Sequence, residues 1–77
     1  MYNAKVGWCH FCNQGWVSIV KTEAGLQYCL CEECETEWKS PDEFLEKVEG
    51  THFVFTSAIA LSDNDIQKSP WKNYVIS

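Results

Sequence analysis

Two short stretches decide the reading: Trp8-Cys9-His10-Phe11-Cys12-Asn13 and Leu30-Cys31-Glu32-Glu33-Cys34-Glu35. Each holds two cysteines separated by two residues, and eighteen residues lie between the pairs. A two-residue gap lets one tight turn present two sulfurs to one ion, with backbone N–H groups left pointing at them. Two such knuckles at the open ends of a hairpin can converge on a single site. The spacing fits C-x2-C-x15–20-C-x2-C, a pattern for four-thiolate zinc. Zinc has no geometric preference from its d electrons and accepts a tetrahedron of thiolates at about 2.3 Å. Cys9, Cys12, Cys31 and Cys34 are therefore the expected ligands of one structural zinc ion. Four protein ligands leave no open position for water or substrate.

Working outward, the segment between the knuckles reads as a hairpin. Trp16-Val17-Ser18-Ile19-Val20 is β-rich, Lys21 to Gly25 is a polar turn, and Leu26 to Leu30 forms the return strand. Thr36-Glu37-Trp38 is short enough for a third, brief strand. Next, Ser40-Pro41-Asp42-Glu43 carries a helix start: a serine cap, proline at the first helical position and a capping-box glutamate. Phe44, Leu45 and Val48 would share its apolar face, and Gly50 would stop it. Thr51 to Thr56 is expected as a strand. Ser62-Asp63-Asn64-Asp65 is a second cap-like start, Pro70 interrupts, and Trp71, Tyr74 and Val75 recur at helical spacing, so a last turn should pack back onto the core. No glycine follows either knuckle. Asn13 tolerates a left-handed backbone, but Glu35 does so poorly, so the second knuckle is expected to run on toward helix or strand.

The fold class is a small α+β metal-stapled domain, a hairpin of two to three strands followed by one or two short helices. Residues 1–77 form one domain, with a metal-binding core at 7–39 and a helical or irregular extension at 40–77. With 77 residues the core is modest, and small scaffolds need a staple. Five cysteines, an odd number, and no export signal favour metal over disulfides and a cytoplasmic location. The longest apolar run, Ala58 to Leu61, is far short of the ~18 residues of a membrane span.

The net charge is −5, and all six basic residues are lysines. An acidic chain without arginine counts against nucleic-acid binding, because phosphate and guanine edges are read by the planar guanidinium. Residues 32–49 hold eight acidic groups and two lysines, a net −6 that leaves the remainder at +1. Four thiolates on a divalent ion would add a further −2. Such a run is either a solvated face or a docking surface for a basic protein. The expected contact residues are Glu32, Glu33, Glu35, Glu37, Asp42, Glu43 and Glu46, with Trp38 and Trp71 as aromatic anchors. Trp8 and Trp16 flank the first knuckle and are placed to shield its sulfurs. Cys29 reads as a small buried hydrophobe, His10 as an exposed or ligand-supporting residue and His52 as structural or surface. There is no nucleophile–base pair, phosphate cradle or open metal position, so no enzymatic activity is expected.

The layout of knuckle, hairpin, knuckle and short third strand, over about residues 7–39, resembles the zinc-ribbon superfamily. That resemblance implies a fold rather than an activity. Cys31-Glu-Glu-Cys-Glu-Thr-Glu-Trp38, ahead of a capped helix, and Asp65-Ile66…Pro70-Trp71…Tyr74-Val75 look similar to small acidic bacterial zinc-ribbon proteins. Some of these are immunity partners of toxins, which implies an acidic inhibitor that occludes a basic, nuclease-type toxin. Two alternatives stand beside it. A rubredoxin-like protein would hold one iron in the same four cysteines for electron transfer, although neither knuckle carries Cys-Pro-x-Cys-Gly. An accessory ribbon of the transcription or translation machinery would dock on another protein.

Overall fold

The computed structural model describes residues 2–76. Its centre is the hairpin between the knuckles: β2 (Trp16–Lys21) pairs antiparallel with β3 (Gln27–Cys31), with Ile19 opposite Cys29 and Val17 opposite Cys31. The turn between them closes through Gly25, whose φ of 91° lies where a side chain would be strained. Side chains alternate across the pair as a period of two requires. Val17, Ile19, Cys29 and Cys31 enter one buried cluster, while Val20, Tyr28 and Leu30 form a second, where Tyr28 stacks on Phe55 at 4.0 Å.

The sheet is larger than a two- or three-stranded ribbon. β1 (Lys5–Trp8) adds to the free side of β2, β4 (Glu37–Trp38) adds to β3, and β5 (Ile59–Ala60) pairs with the end of β2 that β1 does not reach. The expected third strand is thus β4, and β1 and β5 are additional. Thr51 to Thr56 is not a strand. It makes one bridge, Thr51 to Glu37, and then bends away. The buried Glu37 carboxylate takes the Val54 N–H at 3.1 Å and the Thr51 hydroxyl at 3.3 Å, so it competes with a neighbouring strand for that backbone. This holds Phe53 in a left-handed conformation, φ 61°, with the residue 91% exposed.

Helix α1 spans Pro41–Leu45 and is capped as its sequence dictates, with Ser40 Oγ accepting from the Glu43 N–H. It ends before Gly50. Lys47 takes φ 61°, and its N–H and that of Val48 close back on Phe44 and Glu43. Only Phe44 of the expected apolar face is buried, edge-on to Trp38 at 5.1 Å; Leu45 and Val48 are exposed. Burying Phe44 contributes roughly 1.5–3 kcal/mol. Helix α2 spans Asp63–Lys68 with a complete capping box between Ser62 and Asp65, and Asp65 also pairs with Lys21 of β2 at 2.8 Å. A 3₁₀ turn, Lys72–Tyr74, brings Trp71, Tyr74 and Val75 against the main core, and the Ile76 N–H binds Lys5 O at 2.8 Å. The result is a small α+β domain: an antiparallel sheet, two short helices and a cluster of four cysteines. Among the described residues no helix is long and apolar enough to cross a membrane.

Candidate metal centre

Each knuckle begins where a strand ends. Cys9 follows β1, and its N–H binds Gly15 O at 2.8 Å; Cys31 ends β3, and its N–H binds Thr36 O at 3.0 Å. Both turns close the same way, Asn13 N–H to Cys9 O at 3.0 Å and Glu35 N–H to Cys31 O at 3.1 Å. Both closing residues are left-handed, Asn13 at φ 55° and Glu35 at φ 59°. Glu35 therefore does what its residue type disfavours. The geometry that points both sulfurs of a knuckle at one ion outweighs a local cost of about 1–2 kcal/mol.

The four sulfurs of Cys9, Cys12, Cys31 and Cys34 all lie within 4.8 Å of one another. A tetrahedron with metal–sulfur bonds of about 2.3 Å has edges of about 3.8 Å. The Cys9–Cys34 and Cys12–Cys31 separations are 3.9 Å and 3.6 Å. The donor set thus matches one ion in both chemistry and size. Cys9 and Cys31 are fully buried, while Cys12 and Cys34 are partly exposed.

The surroundings tune the sulfurs. Burial raises the Cys9 thiol, against the backbone N–H groups of Cys12 and Phe11, and pushes Cys31 up to about 12 against those of Cys34 and Glu33. Burial acts upward on Cys34 too, but the Thr36 hydroxyl and N–H, together with hydrogen bonds from Cys31 and Cys12, outweigh it and bring the thiol down to about 7. Thr36 Oγ1 lies 3.1 Å from Cys34 Sγ and 3.2 Å from His52 Nε2. A hydroxyl has one proton. Donated to a thiolate, it leaves the oxygen to accept from His52 Nε2–H, which fixes the tautomer. This His52–Thr36–Cys34 chain is a support for the metal ligand of the kind that orients and tunes a site. No spacing in the sequence announces it, because Thr36 and His52 meet only through the bend at Thr51.

The remaining expected residues divide. Trp38 is 2% exposed and donates its indole N–H to Val48 O at 2.8 Å, so it is a core residue rather than a surface anchor. Glu37 is buried and occupied with the loop described above. Trp71 is half-buried against the main core. Glu33, Glu35, Asp42 and Glu46 are exposed, Glu32 and Glu43 are partly so, and Asp42 accepts a hydrogen bond from the Tyr74 hydroxyl. Trp8 and Trp16, expected beside the first knuckle, are partly exposed. They pack edge-to-face on each other at 5.2 Å and stay 45% and 36% exposed. His10 is exposed, stacked on Phe44 with Nε2 3.1 Å from Phe44 O. Cys29 is fully buried in the main cluster, and burial, then Glu43, pushes its thiol up to about 12.

The two C-x2-C knuckles bring four cysteines together in position to bind a metal ion, an arrangement consistent with a zinc-ribbon-like pair of knuckles. Comparison with protein-family models, curated proteins and solved structures finds no match.

Proposed function

We propose that the protein is a non-catalytic, zinc-ribbon-like binding protein. Its ion is structural, and its activity is recognition of a basic protein. The observation that carries this reading is the closed donor set: four cysteine sulfurs within 4.8 Å of one another satisfy a tetrahedral ion and leave it no reactive position. The net charge of −5, with −6 concentrated at residues 32–49, supports a basic partner. Complementary charge speeds encounter and rejects wrong partners. In its most concrete form the protein is an acidic inhibitor that covers the phosphate-binding surface of a nuclease-type toxin, as an immunity protein does.

The test is native mass spectrometry of the protein co-purified from its own host at low salt. One zinc ion and one stoichiometric basic partner are expected. A partner with an acidic surface, or zinc-loaded protein with none, would overturn the reading. The donor set favours one competing reading, because four thiolates at this separation also suit a single iron that carries electrons. Bound iron with a visible thiolate charge-transfer band would replace recognition with electron transfer.

A further inference from the structure

The first knuckle presents a cleft of about 350 Å³ lined by Lys5, Trp8, Gln14, Trp16, Glu32 and Glu33. Its floor follows from strand register. Trp8 lies opposite Trp16 across β1 and β2, so both indoles project from one face at the end of the ribbon. The Trp8 indole N–H donates to Asn13 Oδ1 at 2.8 Å, which fixes one ring, and the perpendicular packing of 87° fixes the other. The acidic wall follows from the hairpin. Glu32 N–H binds Trp16 O at 3.0 Å and fastens the second knuckle beside the indoles. Gly15 completes the fit: a Cβ there would meet Glu33 Cγ at 2.5 Å, so the glutamate stem lies over the bare glycine.

Two aromatic rings and two carboxylates around one cleft make a site for a cation. The molecule already places one there, since Lys5 Nζ sits 5.3 Å from the Trp16 ring centroid. Among the described residues the only ion pair is Lys21 with Asp65, so neither Glu32 nor Glu33 is neutralised. Guanidinium suits this lining better than ammonium. It stacks flat on an indole while its N–H fork meets carboxylates. A second copy of this chain cannot supply it, because the sequence holds no arginine.

We propose that the Trp8–Trp16 cleft receives an arginine side chain of the basic partner, against the indole faces and paired with Glu32 and Glu33. This rests on the binding reading above and names where that partner engages. The test is an NMR titration of the metal-loaded full chain with acetyl-hexaarginine-amide, with hexalysine as the comparison. The indole N–H signals of Trp8 and Trp16 should shift, while those of Trp38 and Trp71 stay. Glu33→Gln and Trp16→Ala should each weaken binding, Trp16→Ala by about tenfold. Lys5→Met should strengthen it by removing the internal competitor. Glu33→Gln keeps the shape and carries the test if Trp16→Ala does not fold. Shifts confined to Asp42, Glu43 and Glu46 would overturn the cleft and leave the basic-partner reading standing. Equal binding of hexalysine would overturn the arginine assignment. A hexaarginine that moves no signal at low salt would overturn both.

Discussion

The two knuckles share a spacing, a closing hydrogen bond and a left-handed residue directly after the second cysteine, yet they sit in different surroundings. The first stands at the end of the β1–β2 ribbon, rimmed by exposed Trp8, Phe11 and Trp16. The second is tied into the sheet through β3 and β4, with the His52–Thr36 pair against Cys34. One metal geometry thus serves an outward, aromatic knuckle and an inward, hydrogen-bonded one. On this account an ion enforces the turns, and the flanking residues divide the other tasks.

The largest test removes that enforcement. Cys31→Ser takes a buried ligand from the inward knuckle, and the chain should lose the cooperative fold. Metal binding supplies on the order of 10 kcal/mol in small stapled domains, comparable with their whole stability. Loss of near-ultraviolet circular dichroism would register it. A strong chelator should do the same to the native chain.

Thr36→Val comes next and acts on one knuckle only. It removes the hydroxyl between Cys34 and His52, and metal affinity should fall about 10- to 100-fold in a chelator competition. The nearest equivalent on the outward side, Asn13→Ala, removes a contact to Trp8 rather than to sulfur and should leave affinity closer to native.

Glu35→Gly sharpens the comparison by relieving the backbone. It should raise stability by about 1 kcal/mol in denaturant melts, because Glu35 sits at φ 59° without a visible side-chain role. Asn13→Gly should gain less, since asparagine tolerates this conformation.

Cys29 gives the smallest effect near neutral pH, and in alkali one that carries a sign. Its folded thiol sits at about 12 against a usual 9.0, so between those values the folded chain holds a proton that the unfolded chain has lost. Stability should therefore fall as pH climbs from 9 toward 12, and Cys29→Ala should flatten that slope. At pH 8 the metal-loaded protein should resist alkylation at Cys29.

Much of the site was legible because cysteine spacing carries its own chemistry: no other constellation in the chain needs two pairs eighteen residues apart. The hairpin and the helix starts were legible for the same local reason, since Ser40-Pro41 and Ser62 state their role within four residues. What could not be read depends on distant partners. Around β1 only Ala4, just before it, and Val6 alternate ahead of Gly7, too short a pattern to separate from a loop. Phe53-Val54-Phe55 has the composition of a strand, but the Glu37 carboxylate, seventeen residues from Val54, takes its backbone. Trp38 has the chemistry of a surface anchor, and only its packing against Phe44 and its bond to Val48 show that it is core. Glu35 turns left-handed against its own preference where the knuckle brings its two sulfurs into the four-cysteine cluster, a demand no neighbour in sequence states.

The central claim is that Cys9, Cys12, Cys31 and Cys34 hold one ion that staples the sheet. X-ray absorption spectroscopy of the purified protein tests it most directly, since the edge names the metal and the fine structure counts its neighbours. A single metal with four sulfurs at about 2.3 Å is the predicted result. A first shell containing nitrogen or oxygen in place of a sulfur, or protein that carries no metal and two disulfides, would contradict it.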